Sequence, residues 1–130
     1  MPLLQFHLVR GRRPEEVRSL LQSAHAAVVE SFGVPERDCY HVVDNHSPDE
    51  VIALDTDLGI ERTDRLVIIH VISRHRTREQ KQRLYESLAT RLQHDCGLAP
   101  SDLIVSITEN GDEDWSFGHG RAQFLTGELQ

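Results

Sequence analysis

Proline at position 2 is the first residue whose chemistry stands out. Once the initiator Met1 is removed, Pro2 carries a free secondary amine. Such an amine can accept a proton, donate one, or add to a carbonyl carbon to form an iminium. Arginine is the second group of interest. Of 14 basic residues only Lys81 is lysine, so thirteen arginines sit in a chain of net charge −7. A guanidinium is a permanent planar cation that grips a carboxylate through two parallel hydrogen bonds. Two pairs share the same spacing, Arg10 with Arg12 and Arg74 with Arg76. A terminal amine beside one such pair would make a site for a small carboxylated carbonyl compound or alkene.

Other chemistries find less support. The eight histidines include His41/His46 and His70/His75, five apart and near strand segments, with no HExxH and no local Cys/His cluster; no metal site is expected. Gly118-His119-Gly120 is too short for a nucleotide fingerprint and reads as a turn. No GxSxG occurs, and Cys39 and Cys96 lie far apart without a CxxC, so they read as buried packing residues in a reducing, cytoplasmic setting. The excess of 21 acidic over 14 basic residues argues against nucleic acid and anionic membrane as partners. No apolar run approaches the ~20 residues of a membrane span. Met1–Phe6 lacks the basic start of a secretory signal.

The elements that must position these groups emerge from an internal repeat. At an offset of 64, Arg10 falls on Arg74, Arg12 on Arg76, Glu15 on Glu79, Leu20 on Leu84, Ser23 on Ser87, Gly33 on Gly97 and Asp38 on Asp102. The chain of 130 residues therefore reads as one domain built of two β-α-β units, about 2–64 and 66–130. In the first, Leu3–Val9 is an apolar strand. Pro14 with Glu15 and Glu16 suits a helix start, and Val17, Leu20, Leu21, Ala24, Val28 and Phe32 trace its buried stripe. Gly33 and Pro35 end it, and Tyr40–Asp44 is the second strand. The second unit repeats this with strand Leu66–Ser73, a helix over Arg78–Cys96 capped by Thr77 and Gln80, and strand Leu103–Glu109. Polar residues 45–65 connect the two.

Right-handed crossovers make the strands parallel within each unit. A pseudo-two-fold joining the units gives a four-stranded mixed sheet of α/β (α+β) class with both helices on one face. The opposite face is then bare, and a chain this small is expected to cover it by oligomerising. With the first strands antiparallel at the centre, residue 2 lies near Arg74 and Arg76, while Leu66 lies near Arg10 and Arg12. Only the first corner can offer a terminal amine.

These residues resemble the tautomerase superfamily. The match runs through Met1-Pro2-Leu3-Leu4, Phe32-Gly33-Val34-Pro35 leading to Asp38, and Ile72-Ser73-Arg74 with Arg76. Its most specific part is the tail, Asp114–Gly118, Gly120-Arg121-Ala122 and Phe124–Gly127. The resemblance is closest to the carboxy-lyase branch, whose substrate is malonate semialdehyde. It implies a trimeric, cofactor-independent enzyme. Pro2, Asp38, Arg74 and Arg76 would be catalytic, the arginines would hold the substrate carboxylate, and Trp115, Phe117, Phe124 and Leu129 would form an apolar wall. Alternatives are a hydratase, dehalogenase or tautomerase acting on a small unsaturated or 2-oxo acid. An alternative of another class is a non-catalytic trimer that binds an anion or a partner.

Overall fold

The structure, a computed structural model, describes residues 1–130. Its elements run β1 (Leu3–Val9), α1 (Pro14–Phe32), β2 (Tyr40–His46), β3 (Val67–Arg74), α2 (Arg78–Cys96) and β4 (Leu103–Asn110), then a short α3 (Gln123–Thr126). The sheet order is β2-β1-β3-β4. β1 pairs parallel with β2, β3 pairs parallel with β4, and β1 pairs antiparallel with β3 from Leu3↔Ile72 to Leu8↔Val67. The four-stranded mixed sheet with its helices is the expected architecture. The antiparallel register sets the start of β1 beside the end of β3. No helix is long and apolar enough to cross a membrane.

Local sequence explains the helices. Pro14 occupies the first turn of α1, and the Glu16 carboxylate accepts from the Arg13 backbone N–H at 2.9 Å. In α2, Thr77 Oγ1 accepts from the Gln80 N–H at 3.1 Å while Gln80 returns the bond to the Thr77 N–H at 2.9 Å. Both helices stop at a glycine with φ of 67°, Gly33 and Gly97. Only glycine enters that left-handed region without strain, and its N–H satisfies a carbonyl one turn back.

Packing follows from period. Leu4, Phe6 and Leu8 alternate toward the helices on β1, as do Val67, Ile69 and Val71 on β3. They meet Leu20, Ala24, Ala27 and Val28 of α1 and Leu84, Leu88 and Leu92 of α2. Small residues on α1 let it approach the sheet closely while leucines on α2 fill the second half.

The strand ends differ from expectation by one or two residues. β2 continues to His46 because the ladder extends to Val9↔His46, His7 Nδ1 lies 3.0 Å from His46 Nε2, and the Arg10 N–H reaches the His46 carbonyl at 2.8 Å. β3 and β4 each extend one residue further, pairing Arg74 with Asn110. The cysteines are a correction: Cys39 is exposed and Cys96 only half-buried, because both sit at element ends.

The face away from the helices is open. It carries half-buried Leu3, Gln5, Ile68, His70 and Ile72 and exposed Tyr40 and Val42. A short polar chain crosses it, with His70 Nδ1 3.0 Å from Gln5 Oε1 and His70 Nε2 2.8 Å from Thr108 Oγ1. The connecting segment adds Ile52, Leu54 and Leu58, the first of them 85% exposed.

Phe6 is fully buried between sheet and helices, so Phe6→Ala should destabilise the fold by about 3–5 kcal/mol. Thr77→Ala removes only a cap and should lower stability by about 1 kcal/mol. Urea midpoints at constant m-value measure both, and a reversed ranking would contradict this account of the core.

Candidate active site

The corner where β1 begins and β3 ends encloses a cavity of about 290 Å³. Met1, Asp38, Arg74, Arg76, Phe124 and Leu129 line it, joined by the Phe32–Pro35 turn and Gln130. Pro2 is buried directly after Met1, and the first ladder pair, Leu3↔Ile72, sets it beside the end of β3. The fold thus gathers Pro2, Asp38 and the Arg74–Arg76 pair from three distant segments.

The two arginines are held differently. Arg74 donates from Nη1 to Asp112 Oδ1 at 2.9 Å and from Nη2 to the Gln130 carbonyl at 3.2 Å, with its guanidinium 3.8 Å from the Phe124 ring centre. Arg76 rests its guanidinium 4.7 Å from the Phe32 ring centre and donates from Nε to the buried Ser73 Oγ at 3.1 Å. Its backbone N–H reaches Glu109 Oε2 at 2.8 Å. The terminal nitrogens of Arg76 therefore keep no protein acceptor, whereas those of Arg74 are both engaged. Arg76 is the freer of the two to meet an acceptor from outside the chain. Arg74 is a braced neighbour whose Nε, buried and unpartnered, remains to be satisfied.

Asp38 is 5% exposed, and neither carboxylate oxygen has a hydrogen-bond partner. Burial raises its pKa, opposed by the terminal amine, Arg76, His25 and Arg74. A buried carboxylate without donors is an unstable arrangement that a cationic amine relieves. The repeat supplies a contrast. Asp102, its counterpart, accepts from the Thr63 N–H at 2.7 Å and from the Thr63 hydroxyl at 2.5 Å. Asp102 is thus satisfied within the chain, and Asp38 is not.

The terminal amine, carried here by Met1, has its pKa lowered to about 6. Burial is the largest cause, followed by Arg76; Asp38 pushes the other way and Arg74 adds to the lowering. Pro2, the next residue, is itself buried, and in a chain without Met1 its nitrogen would be the terminal amine.

The apolar wall is layered. Phe124 and Leu129 face the cavity; Phe117 packs edge-on against Phe124 at 5.6 Å, and Trp115 stacks on Phe117 at 5.3 Å. Trp115 and Phe117 buttress the lining rather than forming it. Buried Gln123 organises this tail. It accepts from the Phe117 N–H at 2.9 Å, donates to the Gly118 carbonyl at 3.0 Å, and its own carbonyl accepts from the Leu129 N–H at 3.0 Å. Sequence reading missed Gln123, Ser73, Glu109 and Asp112, whose roles lie in partners remote along the chain. Phe32 was visible as an apolar stripe residue and in the Phe32-Gly33-Val34-Pro35 motif, but not as the ring beneath Arg76; Cys96 stands at its repeat position.

One further cluster corrects the sequence reading. Cys39 and His41, two apart in sequence, and the remote His25 place ligand-type atoms within 4.8 Å of one another. His25 Nε2 lies 2.7 Å from the Glu36 carbonyl, and His41 has its pKa lowered to about 4 by burial and then by His25.

Two family models, each described as tautomerase enzyme, match residues 38–118 and 2–59. The chain belongs to the tautomerase superfamily. Among its relatives, a probable tautomerase of Bacillus subtilis (strain 168), YrdN, is 51% identical over 99% of this chain and 100% of its own length. A second from the same organism, YusQ, is 38% identical over 96% and 99%. Among solved structures, a malonate semialdehyde decarboxylase studied for its decarboxylase and hydratase activities superposes with a TM-score of 0.97. It is 49% identical, over 98% of this chain and 99% of that one. The FG41 malonate semialdehyde decarboxylase inhibited by 3-bromopropiolate gives a TM-score of 0.94 at 41% identity, over 98% and 97%.

Asp38 is the one carboxylate acting to raise the amine's pKa, so Asp38→Asn should lower that pKa further. An NMR titration of the terminal nitrogen measures it. An unchanged or higher value would contradict the assigned electrostatics.

Proposed function

We propose that the protein is a cofactor-independent carboxy-lyase that converts malonate semialdehyde to acetaldehyde and CO2. The observation carrying this reading is the corner itself: a terminal nitrogen, an unpartnered Asp38 and a guanidinium with free terminal nitrogens share one cavity with an apolar wall. The likeness to malonate semialdehyde decarboxylase supports it.

In this reading Arg76, with Arg74 behind it, binds the carboxylate. Tight binding of the carboxylate alone does not accelerate its loss, because it stabilises the ground state as well. The arginines act by orientation, holding the C–CO2 bond perpendicular to the carbonyl plane so that its electrons can delocalise. The aldehyde group, assisted by Pro2, receives those electrons. As a cation it donates a hydrogen bond to the aldehyde oxygen and stabilises the enolate. Alternatively its nitrogen adds to the aldehyde carbon, water leaves, and the iminium accepts the pair to become an enamine. In either route a proton then adds to the carbon that lost CO2; in the second, water releases acetaldehyde. Phe124 and Leu129 favour neutral CO2 over the departing carboxylate. Asp38 holds the amine's charge and position.

A second reading draws on the lowered pKa at the chain end. A neutral amine is a base, and with the arginines binding a 2-oxo acid it would move protons between carbon and oxygen as a tautomerase. The names of the Bacillus subtilis relatives accord with that reading.

The assembly proposed is a homotrimer in a cytoplasmic setting. The open sheet face and exposed Ile52, Leu54 and Leu58 support association. Sedimentation at micromolar concentration should give three chains; a monomer would rule the assembly out.

Incubation with malonate semialdehyde should release acetaldehyde. Pro2→Ala should reduce turnover on the order of a hundredfold or more. Arg76→Ala should lower kcat/KM roughly 10- to 100-fold. Full activity in Pro2→Ala would remove the central claim. Hydride reduction during turnover, read by mass on the N-terminal peptide, should add an ethyl or carboxyethyl group if the iminium forms.

A further inference from the structure

The opposite corner, related to the Pro2 corner by the internal repeat, has a cavity of its own of about 240 Å³. Arg12 stands there where Arg76 stands in the first, with Cys96 for Phe32, Gly97 for Gly33 and Leu98 for Val34. The reactive groups are gone. Leu66 offers a peptide amide in place of a terminal amine, and Asp102 is saturated by Thr63. The cation remains.

Each acid around this cavity is already committed. Glu15 pairs with Arg13 at 3.3 Å, Glu16 with Arg13 and Arg65 at 3.4 Å each, and Asp95 accepts from Ser23 at 2.8 Å and faces His94 at 2.9 Å. Arg12 pairs with none of them. Its Nη2 donates to the Arg65 backbone carbonyl, while its Nη1 is buried without any partner. Burial and then the neighbouring Arg65 disfavour its charge. Two guanidinium groups held near each other, one with an unused buried N–H, form an arrangement that an incoming anion stabilises. Leu20, Leu98 and Cys96 add an apolar lining, which suits an organic acid with a short carbon body better than a bare inorganic ion.

We propose that this second corner is a non-catalytic binding site for a small organic carboxylate, seated on Arg12. Each chain then offers two carboxylate sites, one with an amine and one without. The inference stands on the geometry of this corner and does not depend on the reaction assigned to the first.

Malonate is the probe, titrated calorimetrically into the full chain. Wild type should take up two equivalents per chain. Arg76→Gln and Arg12→Gln should each retain one, and the double variant none. In labelled wild type, malonate should also shift the backbone amides of Gly97 and Leu98, a readout that needs no variant to fold. Uptake abolished by Arg76→Gln alone, uptake persisting in the double variant, or unmoved Gly97 and Leu98 amides at saturation would each overturn the site. A single equivalent lost only in Arg12→Gln would uphold this site while counting against the reading of the first corner.

Discussion

The antiparallel pairing of β1 with β3 is the constraint on which the rest of the molecule depends. Six ladder pairs, from Leu3↔Ile72 to Leu8↔Val67, fix where each unit begins relative to where the other ends. A slip of one residue would turn Leu4, Phe6 and Leu8 away from the helices, so burial of that face locks the register. The same lock brings the chain terminus beside Arg74 and Arg76. Core packing and site assembly are therefore one problem with one solution: the hydrophobic alternation that stabilises the sheet also sets the positions of the polar groups at its corners.

The two corners start from the same plan and differ by what reaches them. At one, the chain continues, and Thr63 bends back to satisfy Asp102. At the other no hydroxyl or backbone N–H reaches the equivalent acid, and Asp38 keeps two buried oxygens without donors. Phe32 gives Arg76 an aromatic face to rest on; Cys96 gives Arg12 none. A repeat thus yields one corner with an unsatisfied acid beside an amine and another in which only a cation is unsatisfied.

The parts of this architecture governed by local rules were legible in the sequence. Pro14, Thr77 with Gln80, and the glycines at 33 and 97 mark helix ends because capping and left-handed backbone act within a few residues. The offset of 64 supplied the topology, and with it the neighbourhood of Pro2, Arg74 and Arg76. Less legible was anything decided by partners far apart in the chain. Trp115 and Phe117 read as lining, yet stacking places them behind Phe124. Cys39 read as buried, yet it lies exposed just before β2, and with His41 two residues on it meets His25, which only the fold brings near. Gln123 looked like any polar tail residue; only the folded tail shows three backbone groups converging on it.

Met1 and Gln130 line the same cavity, and Gln130 lends its carbonyl to Arg74. Residues 1 and 130 therefore meet at the mouth of one cavity. Any chain joined to Met1 or Gln130 would start inside that mouth, so a label is better carried on the far surfaces of α1 and α2.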